Sequence, residues 1–341
     1  MLFFRLATLT PLALLILGNL RGGVWIVLAL LAVTAVTWAL DRLVRRAAVA
    51  MPAEAEFPAG DGLLSVLALG LLAGLALGVR AAGGDSGFSA GERLGLLIGW
   101  GLALGQIGHP AAHELIHRPA RGLRGLGRAL YAAVLMGHHA SSHLRVHHPH
   151  VGTIDDPASP PAGLGFWRYA PRAWIGSFRA GWRAETALRA RSTRPLRWWS
   201  HPYTAHLAGA AAALALAIAL AGAGGAAALL LIAAHTHLQI LLSDYIQHYG
   251  LRRRLLPDGR PEPVGPQHSW NAPHFWSSAM MLNAPRHSDH HVNPSRPYPA
   301  LRLEADMPVL PRPVPVMAMA ALVPPLWRKM MDRRAAKWQR G

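Results

Sequence analysis

Apolar residues in this chain form six long runs, separated by short polar connections or by large basic regions. Several of the runs reach the ~20 residues that a helix needs to cross the hydrocarbon core of a bilayer. The pattern therefore predicts an all-α integral membrane protein with about six transmembrane helices. The runs cover residues 4–20, 23–40, 62–82, 94–112, 205–222 and 226–247.

The basic residues lie next to these runs and predict their orientation. The net charge is +17, and arginines follow the second, fourth and sixth runs, at 42–46, 118–197 and 252–254. Because positively charged loops stay in the cytoplasm, we expect three hairpins with both termini inside. The arginines belong to no recognisable nucleic-acid fold, so the charge indicates contact with anionic lipid and no nucleic-acid partner. The outer connections are then residues 21–23, 84–92 and 222–225.

The same pattern divides a single membrane domain, residues 1–341, into segments. We expect the first four transmembrane helices within residues 1–112, and the fifth and sixth within 205–247. The polar regions 113–204 and 248–341 are expected to form a helical cap on the cytoplasmic face.

Histidine is concentrated in the polar regions. The chain has 19 histidines and no cysteine, so a metal could be held only by His, Asp or Glu. HELIH places His113 and His117 on one face of a helix just beyond the fourth run. HLRVHH (143–148) and HSDHH (287–291) add two more clusters, and His248 ends the sixth run.

These imidazoles could surround two divalent ions and leave space for an exogenous ligand. Imidazole suits zinc, copper, iron and nickel and disfavours magnesium and calcium. Neutral ligands beside an apolar membrane domain favour a redox metal that acts on an apolar substrate over a hydrolytic zinc. The candidate ligands are His113, His117, His143, His147, His148, His248, His287, His290 and His291.

Other functions remain open on the residues alone. HELIH satisfies the zinc-protease pattern HExxH, but three fixed positions arise often by chance. A zinc-dependent hydrolase or a membrane metal-binding or transport protein is a further alternative. Transport would need ionisable residues along a pathway inside the membrane, and the apolar runs contain almost no acids.

Four segments together carry a family resemblance. HELIHR (113–118), HLRVHH (143–148), DYIQHYGL (244–251) and RHSDHHVNPSRPY (286–298) resemble the bacterial membrane-bound alkane 1-monooxygenases. That family lies within the wider membrane fatty acid desaturase and hydroxylase superfamily, and the resemblance runs from about residue 90 to 303. The histidine boxes mark the superfamily, whereas HYG and RHSDHHxNP are typical of the alkane hydroxylase branch.

The resemblance implies a non-haem monooxygenase with two iron ions bound by the nine histidines and no catalytic residue beyond that site. Such an enzyme uses O₂ and external electrons to hydroxylate an unactivated, terminal C–H bond of an alkane or similar apolar compound. Its expected partners are a rubredoxin or ferredoxin and an NAD(P)H-dependent reductase, and its expected location is the bacterial inner membrane. The alternative is a membrane fatty acid or lipid desaturase or hydroxylase.

Carboxylates near the boxes are candidates to orient the imidazoles. Metal-bound histidines normally donate their second N–H to a carboxylate or carbonyl, which fixes the ring and its tautomer. The candidates are Glu114, Asp155, Asp156, Asp244 and Asp289.

Three positions depart from the family pattern. Val146 stands where the family usually has glycine. Ser142 and Gln247 stand where it usually has glutamate, and the two missing carboxylates bear on substrate range and metal tuning. The remaining histidines near the boxes are expected to be structural or to support the ligands. They are His138, His139, His150, His268 and His274.

Overall fold

The computed structural model describes residues 1–44 and 58–339, so Arg45 and Arg46 of the first basic segment lie outside the described residues. Within those ranges the chain is nearly all helical, with isolated bridges in place of strands, which confirms the predicted all-α class. The helices are α1 (Leu2–Arg21), α2 (Val24–Leu43), α3 (Pro58–Gly83), α4 (Ala90–Ala103), α5 (His109–His117), α6 (Arg121–Ala133), α7 (139–150), α8 (Phe166–Ala190), α9 (Pro202–His248), α10 (Phe275–Met280), α11 (His287–Val292), α12 (Val314–Ala321) and α13 (Pro324–Gln339).

The long apolar helices follow the apolar runs of the sequence. In the described part of the chain, α1, α2, α3 and α9 are long and apolar enough to cross a membrane. The fourth run forms α4, which continues through a π-helical turn at Leu104–Gly108 into α5. The 47 residues of α9 contain both the fifth and the sixth run. The number of six crossings stays a prediction.

A sharp break divides α9 into two halves. Gly222 adopts φ 58° and ψ −145°, a conformation that is open to glycine and strained for other residues. Both ends of α9 lie beside the histidine clusters, since His206 hydrogen-bonds Ser141 and the Nε2 atom of His248 lies 2.9 Å from that of His287. The chain therefore folds back at Gly222. The break falls at the start of the predicted outer connection 222–225.

Small residues allow the helices around this hairpin to approach closely. A Cβ atom added at Gly224 would lie 2.1 Å from the carbonyl oxygen of Gly83 in α3. A Cβ atom at Gly105 would lie 2.3 Å from the Cβ of Gln239 in α9. Such contacts are typical of membrane helices, which associate through small side chains.

Polar contacts fix the histidine segments to the ends of the apolar helices. Asp41, near the end of α2, accepts hydrogen bonds from the backbone N–H groups of Trp276 and Ser277 at 2.8 and 3.0 Å. Asp61, near the start of α3, lies 2.8 Å from the guanidinium of Arg118, just after α5. These helix ends therefore lie on the same side of the bundle as the histidines.

The C-terminal helix covers the end of α9. Trp327 of α13 is fully buried, and its ring lies 5.3 Å from the rings of both Tyr245 and Tyr249. The Tyr249 hydroxyl donates to Asp332 at 2.5 Å. The same hydroxyl accepts from the Gly163 N–H at 2.7 Å, so the polar region 113–204 contacts the described part of the second polar region, 248–339. The segment boundaries drawn from the sequence stay predictions.

Candidate metal centre

Four elements bring nine imidazoles together at the histidine side of the bundle: α5, α7, the end of α9, and α11. Within each of two groups, one ring nitrogen from every member lies within 4.8 Å of the others. The first group is His113, His117, His143, His148 and His290, and the second is His147, His248, His287 and His291. These are the nine histidines that the sequence motifs single out.

In the first group the Nε2 atoms converge on one another. Those of His143 and His148 are 2.9 Å apart, and that of His117 lies 3.2 and 3.1 Å from them. The Nε2 atom of His290 lies 3.2 Å from that of His148. Residues from α5, α7 and α11 therefore point at a common centre.

The second group is packed as closely and borders the first. The Nε2 atom of His287 lies 2.9 Å from that of His248 and 3.1 Å from that of His291. The ring of His147 lies 4.7 Å from that of His248, centroid to centroid. The rings of His148 and His291, one from each group, are 4.8 Å apart, so the two centres are neighbours.

A π-helical turn within α7 gives the second histidine cluster its shape. It spans His143–His147. In an α-helix a residue five positions on is rotated by about 140°, because each residue turns about 100°. A π-helix closes its hydrogen bond from residue i to residue i+5, so the residue five positions on returns to nearly the same face as the first. The turn thus brings His148 back to His143, while His147 points to the neighbouring group.

The chemistry of these donors fits metal ions. Burial and the neighbouring imidazoles lower the pKa of His143, His290 and His291 well below the ordinary value, which keeps the rings neutral. Neutral imidazole is the form that binds metal. The Nε2 atoms of His113 and His147 are buried, and neither has a hydrogen-bond partner among the described residues. Metal–nitrogen bonds of about 2.1 Å at right angles would separate neighbouring donors by about 3 Å, close to the spacings observed.

Asp156 orients one of these imidazoles. Its carboxylate lies 2.9 Å from Nδ1 of His147 and accepts hydrogen bonds from the Ser159 hydroxyl at 2.6 Å and the Ala158 N–H at 3.0 Å. Burial opposes ionisation, but His147 and these hydrogen bonds hold the pKa of Asp156 below its usual value. Burial likewise opposes protonation of His147, and Asp156 raises its pKa on balance. The carboxylate therefore fixes an N–H on Nδ1 and leaves Nε2 for a metal.

The carboxylate of Asp289 bonds elsewhere. Within the described residues it accepts from the Asn293 amide at 2.8 Å, the Arg302 N–H at 2.8 Å, and the Arg296 guanidinium. Arg286 donates to the Leu301 carbonyl. The two side chains thus hold the loop after α11 in place, and the expected contact of Asp289 with an imidazole is absent from the described hydrogen bonds.

The other three candidate carboxylates also make no hydrogen bond to an imidazole in the described part of the chain. Glu114 accepts from the Tyr298 N–H at 3.2 Å and lies 3.3 Å from the Arg118 guanidinium. Asp155 is exposed at the surface. Asp244 lines a cavity beside the histidines.

The remaining histidines near the boxes lie outside the two groups. His139 stacks on His143 with 5.4 Å between ring centroids, and His138 packs against Trp174. His268 lies 3.0 Å from Glu262 and accepts from the Gly265 N–H. His150 is exposed, and His274 is partly buried just before α10.

A cavity opens onto the histidines. His113, His143 and His287 lie at its wall, together with apolar side chains from α9, α12 and the segment after α10. Apolar cavities with a few polar groups are the usual form of small-molecule sites. The apolar lining includes Leu242, Ile246, Met281, Val314 and Ala318.

The sequence motifs did not single out three of the polar side chains of this cavity. Gln106, Gln239 and Ser243 line it, from the π-turn after α4 and from α9. The only signal in the sequence was their position as amides and hydroxyls inside or beside otherwise apolar runs.

Comparison with known proteins identifies the family. Residues 93–320, more than half of the chain, match the family model described as fatty acid desaturase. The chain therefore belongs to the fatty acid desaturase family. This membership and the apolar helices make it a membrane protein, and the two histidine groups indicate a metal site.

Within that family the chain is similar to alkane 1-monooxygenases, which confirms the resemblance seen in the motifs. It is 32% identical over 251 residues to alkane 1-monooxygenase 1 of Pseudomonas aeruginosa, covering 73% of this chain and 65% of that protein. It is 33% identical over 255 residues to alkane 1-monooxygenase 2 of Alcanivorax borkumensis, covering 72% of this chain and 65% of that protein. The match thus spans slightly less than two thirds of these relatives.

Proposed function

We propose that this protein is a membrane-bound monooxygenase that hydroxylates an unactivated, terminal C–H bond of an alkane or similar apolar compound. It uses O₂ and electrons from an external donor. The observation that carries the proposal is the convergence of nine imidazoles in two neighbouring groups at the wall of a largely apolar cavity. The similarity to alkane 1-monooxygenases supports the same reaction.

The metal ions are two irons, one for each histidine group. Five imidazoles would hold the first ion and four the second, with Asp156 holding the tautomer of His147. Bound iron supplies the reductive activation of O₂ and the oxidation of the C–H bond. Imidazole ligands suit iron, and an all-nitrogen site without cysteine excludes thiolate coordination.

The chain itself positions the substrate. A hydrocarbon has no polar handle, so it can be held only by the shape of the cavity and by the exclusion of water. Leu242, Ile246 and Met281 form apolar parts of the cavity wall. His113 and His143 lie at the same wall. A chain end that enters this cavity comes to rest beside the imidazoles.

The electrons come from a rubredoxin or ferredoxin that an NAD(P)H-dependent reductase reduces. This sequence contains no cysteine to hold an iron–sulfur cluster or a rubredoxin iron. Such donors are commonly acidic, and a basic surface attracts an acidic partner. Three exposed arginines of α8 form such a surface beside Pro157, and we call it the arginine recess (Arg172, Arg179 and Arg183).

The arginine recess lies close to the metal centre along the chain. Pro157, in its wall, directly follows Asp156, whose carboxylate bonds His147. A donor docked there is connected to the second histidine group through one residue and one hydrogen bond. This short connection favours the recess as the site of electron entry.

The protein lies in the bacterial inner membrane with the histidines and both termini in the cytoplasm. The support for this orientation is the position of the arginines, which flank the apolar runs on the histidine side. A cytoplasmic site also gives access to the NAD(P)H-dependent reductase.

The test is turnover by the purified protein in nanodiscs, supplied with rubredoxin and reductase and a panel of alkanes, alkylbenzenes and fatty acids. Mass spectrometry of the products should show terminal alcohols from the apolar substrates. His290→Ala should abolish them, whereas the exposed His150→Ala should not. Alkenes from acyl chains would favour the alternative desaturase, and turnover of His290→Ala at the parental rate would overturn the site.

A further inference from the structure

Gln106 is a buried amide that the proposed chemistry does not use. It lies in the π-turn Leu104–Gly108 that joins α4 to α5, and it is 9% exposed. Its side chain lines the cavity that opens onto the histidines. Its Oε1 atom is buried and has no hydrogen-bond partner in the described part of the chain.

The side chains of the other two glutamines at the cavity wall have described partners. The Nε2 atom of Gln239 lies 3.3 Å from Nε2 of His235. Gln247 accepts from the Ser243 hydroxyl at 2.9 Å and donates to the Ala284 carbonyl at 3.2 Å. A buried carbonyl without a donor is unfavourable, and nearly all such groups in proteins have a partner. The partner of Gln106 is therefore to be sought inside the cavity.

We propose that Gln106 accepts a hydrogen bond from an O–H or N–H group of the substrate. Among the apolar substrates of this hydroxylase, an aliphatic chain with one polar end, such as an alcohol or a primary amide, is then preferred to a plain alkane. This inference rests on the proposed hydroxylase function and names its substrate class. A buried site built for a hydrogen bond discriminates strongly against analogues that cannot form it.

The position of Gln106 assigns the two ends of such a chain. Gln106 precedes the ligand candidate His113 by seven residues, a separation of at most about 10 Å along the helix axis at the rise of an α-helix. Both residues line the same cavity, whose wall between α9 and α12 is largely apolar. The polar end of a medium-length chain at Gln106 therefore leaves its methyl end near the imidazoles.

The expected reaction is hydroxylation at the far end of the chain. One oxygen atom of O₂ enters the terminal C–H bond, and the other leaves as water with two electrons and two protons from the external donor. n-Octanol then gives the octanediol with a hydroxyl group at each end.

The test is a competition between n-octane and n-octanol in one vessel, for the wild type, Gln106→Met and a control. Metal loading acts equally on both substrates, and the partition of each substrate into the nanodisc is the same for every variant. A difference between variants in the ratio of octanediol to octanol formed from labelled octane therefore reports a change in preference. Methionine keeps the length of the side chain and removes the carbonyl. The control is Gln267→Met, which makes the same change at a partly buried glutamine outside the cavity.

We expect the wild type and Gln267→Met to give the same ratio of octanediol to octanol, and Gln106→Met to give a ratio about tenfold lower while it still oxidises n-octane. Equal ratios for the wild type and Gln106→Met would overturn the inference and leave the hydroxylase function intact. Absence of any oxidised product from the wild type would overturn the function itself. Gln106→Asn, which keeps a carbonyl, should retain part of the preference.

Discussion

Asp155 and Asp156 are adjacent carboxylates with different environments. Asp156 is buried and bonds the His147 imidazole, Ser159 and the Ala158 N–H, whereas Asp155 is exposed. The carboxylate of Asp156 keeps the proton of His147 on Nδ1, so the loop after α7 contributes to the metal centre without a ligand of its own.

Replacement of Asp156 should loosen the metal. Asp156→Asn keeps the size of the side chain but weakens the acceptor for His147, so metal affinity should fall about 10- to 100-fold. The measurement is retention of iron during titration with a chelator. Asp155→Asn is the matched control and should behave like the wild type. Equal retention by both variants would show that Asp156 does not orient His147.

Among individual residues, the sequence predicts the grouped histidines better than the carboxylates that orient them. The spacing of HELIH, HLRVHH and HSDHH singles out all nine imidazoles that the structure brings together. Among five candidate carboxylates, only Asp156 bonds an imidazole in the described residues. That choice depends on the direction of a side chain in a turn, which the sequence does not specify.

At the scale of elements, the π-turn His143–His147 determines which histidines share a group. It contains one more residue than an α-helical turn, so His148 returns to His143. Arg145 lies in this turn and is exposed. Its weak ion pair with Glu185, at 3.7 Å, is the only described contact of its charge with an acid.

Deletion of Arg145 should therefore restore α-helical register and rotate His147 and His148 by about 100°. We expect loss of metal from both groups, measured as iron per folded chain after size-exclusion chromatography. Arg145→Ala removes the side chain but keeps the turn, and it should bind metal as the wild type does. Full metal content in the deletion variant would contradict the role of the π-turn.

Helices were predictable as elements, and their irregularities were not. The apolar runs predict α1 to α4 and both halves of α9. The π-turns and the break at Gly222 depend on which carbonyl each N–H selects and on close packing with neighbouring helices. Neither the choice of carbonyl nor the packing of neighbouring helices can be predicted from the composition of the sequence.

At the scale of the whole molecule, charge distinguishes the two sides of the bundle. The arginines near the histidines account for much of the net charge of +17, and the arginine recess is part of that surface. Charge of this kind acts on the rate of association with an acidic partner and weakens with added salt.

Reversal of one charge in the arginine recess should impair the donor and spare the substrate. For Arg179→Glu we expect the KM for reduced rubredoxin to rise about tenfold at low salt, with little change in the KM for alkane. Steady-state kinetics at several salt concentrations measure both. Arg194→Glu changes the same charge at an exposed position outside the recess. An equal effect of the two variants would mean that the donor docks elsewhere.

We propose that the nine imidazoles hold two iron ions. The most direct measurement is elemental analysis of the purified wild-type protein beside His290→Ala and His248→Ala, which remove one imidazole from each group. We expect about two irons per wild-type chain, because there are two imidazole groups, and less iron in both variants. A single zinc per chain with no iron, or unchanged iron in both variants, would contradict it.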